Sequence, residues 1–186
     1  MARTESNFLE LGAKAFDFSL LNPIDKKKYN LEDFPIDDTN GLAIMFICNH
    51  CPFVVHIAEG ISAYAKDYSA KGIKVVAINS NDVANYPADS PEKMIEFAAK
   101  YGFNFPYLFD ETQSVAKEYK AACTPDLYLF DSKLKLVYHG QFDGARPGND
   151  IEVTGKDFRA ATDALLSGKI QENQLPSVGC NIKWKN

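Results

Sequence analysis

The hydrophobic positions of this chain change period several times, and each change marks an element. Phe16-Asp17-Phe18-Ser19-Leu20 alternates apolar and polar residues, as a half-buried strand does. Asn22-Pro23-Ile24-Asp25 then reads as a turn, and Lys28-Tyr29-Asn30-Leu31 as a returning partner strand. Leu42 to Ile47 is an unbroken apolar run, the pattern of a central strand covered on both faces. From Pro52 the spacing becomes helical. Val54, Ile57, Ala58, Ile61, Ala65 and Tyr68 share one face, and Lys71-Gly72 supplies a cation and a glycine stop.

The same alternation continues downstream. Ile73 to Ile78 is a second buried strand. Ser90-Pro91-Glu92 opens a helix with a serine cap and a first-turn proline; it runs to Tyr101 and stops at Gly102. Phe105 to Phe109 is a short strand, Thr112 to Tyr119 a helix, and Leu127–Phe130 with Leu134–His139 a hairpin turning through Asp131-Ser132-Lys133. Thr154, with Asp157 three residues on, resembles a capping box for a last helix that runs through Leu166 and ends at Gly168. The order ββ, βαβα, βα, ββα predicts an α/β fold with a central mixed sheet flanked by helices. It gives a single domain over 1–186, with a core from about 14 to 168, an N-terminal β-hairpin and a C-terminal tail, 169–186.

Composition narrows the functions. The 186 residues are 46% hydrophobic and 24% charged, with a net charge of −5, as in an ordinary globular domain. Lys26-Lys27-Lys28 is a short basic run beside acids, so no nucleic-acid partner is expected. No apolar stretch approaches the ~20 residues a bilayer requires, so no membrane partner is expected either. Arg3, Glu5, Glu10 and Lys14 precede no apolar segment of the secretory type, which makes a cytoplasmic location the default. In that compartment cysteines are more often catalytic or metal-binding than structural staples.

The chemistry centres on Cys48-Asn49-His50-Cys51, set between the apolar run and Pro52. Two thiols at a strand–helix junction face the helix dipole and free backbone N–H groups, which favour thiolate over thiol. Spaced i, i+3, they can close a disulfide and exchange it. Cys48 is expected nearest the helix N-terminus and most exposed, hence the nucleophile, with Cys51 one turn inward as the resolving thiol. His50, beside Cys51, would tune thiol acidity as an imidazolium. The pair could instead form half of a metal site.

Taken with its flanking strand and helix, this motif resembles that of thioredoxin-fold proteins of the AhpC/TSA family. That family includes peroxiredoxins and TlpA/ResA-like thiol–disulfide oxidoreductases. The resemblance also rests on Leu31-Glu32-Asp33-Phe34, on Phe105-Pro106-Tyr107-Leu108-Phe109-Asp110, and on Thr124-Pro125 before Leu127-Tyr128-Leu129-Phe130-Asp131. It implies a thioredoxin-like fold and a cis Pro125 facing the Cys pair. The backbone of Thr124 would then bind an extended substrate strand. It also brings Cys123 near the site as an accessory thiol. Cys180 lies in a tail that the common fold does not need, and is either a second accessory thiol that resolves or a spectator on a docked tail.

The implied function is thiol–disulfide exchange with a protein or small-molecule disulfide, served by an upstream thiol reductant and no cofactor or metal. The alternative is a thiol peroxidase with Cys51 as the peroxidatic residue. Against it, Cys48 stands where peroxiredoxins carry threonine, and Pro125 where they carry a peroxide-polarising arginine. A lesser alternative is a metal-binding chaperone using Cys48, Cys51, Cys123 and Cys180, or the Cys pair with a distal His139.

Overall fold

Two chain segments, 3–34 and 39–185, are described by the computed structural model. Among the described residues ten strands and four α-helices follow one another as β1 (Arg3–Glu5), β2 (Ser19–Asn22), β3 (Lys27–Asn30), β4 (Gly41–Phe46), α1 (Pro52–Ser69), β5 (Ile73–Asn79), α2 (Pro91–Tyr101), β6 (Tyr107–Phe109), α3 (Ser114–Glu118), β7 (Cys123–Thr124), β8 (Asp126–Asp131), β9 (Leu136–Gly140), α4 (Lys156–Leu166) and β10 (Val178–Asn181). Seven strands form the main sheet in the order β3-β2-β6-β5-β4-β8-β9. Strands β4, β5 and β6 run parallel, and the hairpins β2–β3 and β8–β9 close its ends antiparallel. This is the expected mixed α/β sheet.

Strand period 2 divides the core into two layers. Ala43, Met45 and Ile47 face a cluster built with Val54, Ile57, Ile61 and Tyr64 of α1, Met94 and Phe97 of α2, and Phe158 of α4. Leu42, Ile44 and Phe46 face Val115 and Ala116 of α3, together with Tyr119 and Phe18. Helix α1 is held by this packing, since Ile57, Ile61 and Tyr64 are all buried. Removing one such side chain, as in Ile61→Ala, costs about 2–5 kcal/mol.

Several boundaries differ from the pattern. The strand expected from Phe105 pairs only from Tyr107, because Pro106 has no N–H and contributes only its carbonyl, which accepts from Ala77. The second strand of the last hairpin begins at Leu136, since Leu134 takes a left-handed turn conformation, φ 56°. The capping box at Thr154 does not form. Gly155 is the residue before α4, with φ 68°, and the carboxylate of buried Asp143 accepts the Thr154 and Gly155 N–H groups at 2.9 and 2.6 Å. A side chain at 155 would strike the Phe142 ring, so the turn requires glycine.

The tail is the largest departure. It carries β10, which joins β1 on one edge and β7 on the other to form a second sheet of three strands. The last described residues are tied down further on. Lys183 donates its N–H to Asn81 Oδ1 (2.8 Å), and its carbonyl accepts from the Asp82 N–H (2.8 Å) and from Gln113 Nε2 (2.7 Å).

Candidate functional site

Parallel strands leave their carboxyl ends together, and loops from those ends converge on one edge of the sheet. Here β4 runs into Cys48-Asn49-His50-Cys51, and β5 runs into Asn79-Ser80-Asn81-Asp82 and on to Asp89. Antiparallel β8 begins at the same edge, which places Thr124 and Pro125 opposite the Cys loop. The Thr124–Pro125 peptide is cis.

Both thiols of the pair are buried, Cys48 at 1% exposure and Cys51 at 0%, so the expectation of an exposed first cysteine is corrected. Its place at the helix start is corrected too. Cys51 is the N-cap of α1, directly before Pro52, whereas Cys48 lies a turn earlier in the loop. The positive end of the helix dipole therefore lies at Cys51.

Threonine 124 touches both thiols. Its hydroxyl lies 3.3 Å from Cys48 Sγ, and its carbonyl accepts from Cys51 Sγ at 3.2 Å. Strand alternation then decides which other cysteine joins them. Cys180 is the register partner of Thr124 and shares its face, whereas Cys123 and Asn181 form the next pair and face the other way. The Cys123 thiol turns to the Pro125 carbonyl, 3.6 Å away. Cys180 lies in the same buried cluster as Cys48 and Cys51.

These surroundings divide the acidities. The Cys51 thiol is lowered to about 5, first by the hydrogen bond from Cys48, then by those from the Cys180 thiol and the Val54 and Cys180 backbone N–H groups; burial opposes them. The Thr124 carbonyl, which accepts from the thiol form, also disfavours the thiolate, but it is one acceptor against four donors. Cys48 is pushed well above its ordinary value by burial, by its bond to Cys51 and by the nearby Asp89 carboxylate. Burial also raises Cys180, to about 12, and Cys123.

Asp89 organises the loop. It is fully buried, and its Oδ1 accepts the backbone N–H groups of Asn49 (2.8 Å) and His50 (3.2 Å). Its Oδ2 accepts from Asn81 Nδ2 at 2.8 Å and lies 2.6 Å from His50 Nδ1. His50 is thus bound to a carboxylate and stacked on Tyr86, with ring centroids 5.7 Å apart. Of the pair, Cys48 is the thiol grouped with the imidazole and Asp89. Asn49 is anchored as well, donating to the Ala88 carbonyl (3.0 Å) and accepting from the Tyr107 hydroxyl (2.9 Å).

The candidate metal sets change accordingly. Among the described residues one group of ligand atoms converges, Cys48, His50 and Asp89, within 4.8 Å of one another. The two Asp89 oxygens already take four N–H groups, a set that fits hydrogen bonding better than an ion. The four-cysteine cage fails because Cys123 faces away. His139 is buried against Tyr128 with its Nε2 2.8 Å from Asp126, and among the described residues its ring nitrogens join no group of ligand atoms with the Cys pair.

With this geometry in view, the match to known proteins is direct. The AhpC/TSA family model matches residues 11–139. The chain belongs to the AhpC/TSA family. Family membership carries thiol-based redox chemistry. No curated protein matches the sequence. A crystal structure of an uncharacterized conserved protein from Geobacillus kaustophilus is 54% identical, with a TM-score of 0.95, covering 100% of this chain and 97% of that one. Two more distant structures share the thioredoxin fold. A candidate thiol:disulfide interchange protein, DsbE, from Chlorobium tepidum is 22% identical (TM-score 0.67, 86% of this chain and 99% of that one). A peroxidoxin from Mycobacterium tuberculosis is 16% identical (TM-score 0.62, 87% and 98%).

Sequence reasoning missed Asp89, Asn49 and Tyr107. The available signal was positional: polar residues Asn79 to Asp82 follow β5 at the sheet edge where sites collect. Nothing in the sequence marked Asp89, which reads as part of a Pro-Ala-Asp-Ser turn.

Proposed function

We propose that this protein is a thiol–disulfide oxidoreductase in which Cys51 attacks and Cys48 resolves. The observation that carries the reading is that Thr124 touches two buried thiols at once, Cys51 at the helix N-cap through its carbonyl and Cys48 through its hydroxyl. The Cys51 thiolate attacks a substrate disulfide and forms a mixed disulfide with one sulfur, while the other leaves as a thiolate. The Cys48 thiol then attacks Cys51, its proton passes to the departing sulfur, and a Cys48–Cys51 disulfide remains. An upstream dithiol returns the pair to its reduced form. The exchange needs no group beyond the thiols themselves. Among the described residues no helix is long and apolar enough to cross a membrane.

The Thr124–Pro125 segment is the platform of the site, holding both sulfurs through the Thr124 hydroxyl and carbonyl. Reduction of insulin by dithiothreitol tests the reading. The wild type should accelerate it and Cys51→Ser should not; equal acceleration by both proteins would overturn the assignment.

A second reading, thiol peroxidase, draws support from the same N-cap thiolate. Cys51 would take one oxygen from a hydroperoxide to become a sulfenic acid, and Cys48 would condense with it, releasing water. Peroxide consumption per added dithiol separates the two readings.

A further inference from the structure

We propose that Cys180 is a third redox thiol of this site, forming with Cys51 a disulfide that alternates with the Cys48–Cys51 bond. The inference rests on the reading of Cys51 as the attacking thiolate.

The placement is built rather than incidental. Strand β10 reaches the site only because it pairs with β7, and Gly179 permits that approach. A Cβ at 179 would overlap the Thr124 carbonyl, the same group that accepts from Cys51. The register then sets Cys180 opposite Thr124, on the face that carries both other sulfurs. The strand is clamped on its far edge by β1, from Arg3↔Cys180 to Glu5↔Val178, and beyond its end by Lys183 on Asn81 and Gln113. Lys185 adds a bond from its N–H to Gln113 Oε1 at 2.8 Å. Cys180 is 3% exposed and lies in the core cluster with Cys48 and Cys51. Cys51 therefore has two thiol neighbours that reach it from different elements.

The chemistry balances without a further reagent. The Cys51 thiolate opens a substrate disulfide R–S–S–R′, becoming Cys51–S–S–R and releasing R′S⁻. The Cys180 thiol then attacks the Cys51 sulfur. The S–S bond to R breaks, R leaves as RSH with the Cys180 proton, and Cys51–S–S–Cys180 forms. Two protein thiols are oxidised to one disulfide, and the substrate disulfide, the oxidant, is reduced to two thiols. The two resolving thiols differ in their neighbours. Cys48 faces the Asp89 carboxylate, which opposes its ionisation, whereas Cys180, raised by burial and by Cys51, also has the Lys183 ammonium near it, which favours ionisation.

Oxidised glutathione, acid quenching, alkylation of remaining thiols and peptide mass mapping test the proposal on the full chain. Wild-type protein should yield a Cys51–Cys180 linked peptide alongside Cys48–Cys51. Cys48→Ser should release both glutathione thiols for each disulfide consumed, falling to half that yield when Cys180→Ala is added, with glutathione retained on Cys51. A wild-type map containing only Cys48–Cys51, or glutathione retained on Cys51 of Cys48→Ser, overturns the role of Cys180 and leaves the Cys48–Cys51 reading standing. Absence of any Cys51 disulfide in the wild type overturns both. The wild-type map needs no substitution, so a misfolded variant does not leave the question open.

Discussion

His50 Nδ1 lies 2.6 Å from Oδ2 of Asp89, a carboxylate buried completely under the Cys loop. The contact links two segments that leave adjacent parallel strands, and it puts a negative charge beside Cys48 rather than Cys51. Asp89→Asn keeps an acceptor for the Asn49 and His50 N–H groups but removes that charge and presents an amide to Asn81. Ultraviolet thiolate absorbance against pH should show Cys48 ionising at lower pH than in the wild type. Denaturant unfolding should show a loss of about 1–3 kcal/mol from the mispaired polar groups. A Cys48 titration identical to the wild type would remove Asp89 from the account of thiol acidity.

Alkylation kinetics should separate the two members of the pair. Reactivity at Cys51 should rise with pH around about 5 and then level off, while Cys48 stays unreactive through neutrality. Mass mapping after brief iodoacetamide treatment at pH about 7 should find the label on Cys51. Label on Cys48 instead would reverse the assigned roles.

The same acidity gives the reduced protein a pH-dependent stability. Cys51 is lowered from an ordinary 9.0 to about 5, so between those values the native chain has released a proton that the unfolded chain retains. Unfolding free energy of the reduced protein should therefore increase as pH rises from about 5 toward 9, and the gain should disappear as pH falls through about 5. Cys51→Ser should lack this rise. A stabilised thiolate also favours the reduced pair, so its potential should fall between about −270 and −120 mV, the values of dithiols whose attacking thiols titrate near 7 and 3.5. Equilibration with glutathione buffers measures it.

Gly179→Ala tests the closure of the site. The added methyl group meets the Thr124 carbonyl, so β10 must lift from β7 or the strands must shift, at about 1–3 kcal/mol. Labelling of Cys51 should accelerate. Trp184, whose ring lies 5.9 Å from Lys117 Nζ of α3, should change its emission only if the tail detaches there as well. Unchanged labelling would mean that β10 does not limit access.

Much of this architecture was legible because long apolar runs and helical spacing are decided locally. The strand of Leu42–Ile47 and the face of Val54 to Tyr68 needed no knowledge of their partners. The Cys pair was legible for the same reason, sitting where those two patterns meet. What could not be read depends on distant neighbours. Val178-Gly179-Cys180-Asn181 is short, contains glycine and shows no alternation; it becomes a strand through pairing with residues 3–5 and 123–124. Asp89 is ordinary in its own turn and acquires meaning from Asn49 and His50, some forty positions earlier. The place of the helix start was misread because spacing alone does not say where the first helical turn begins, and here it begins after Cys51.

The pairing of β1 with β10 also has a consequence for biosynthesis. A ribosome makes Cys48 and Cys51 long before Cys180, so the growing polypeptide carries these two thiols without the cover of β10 until that strand emerges. During that interval the thiols meet cellular oxidants with neither Cys180 nor Gly179 against Thr124. The sheltered form is a property of the finished chain, and an oxidant encountered in mid-synthesis acts on a different molecule from the one that goes on to work in the cell.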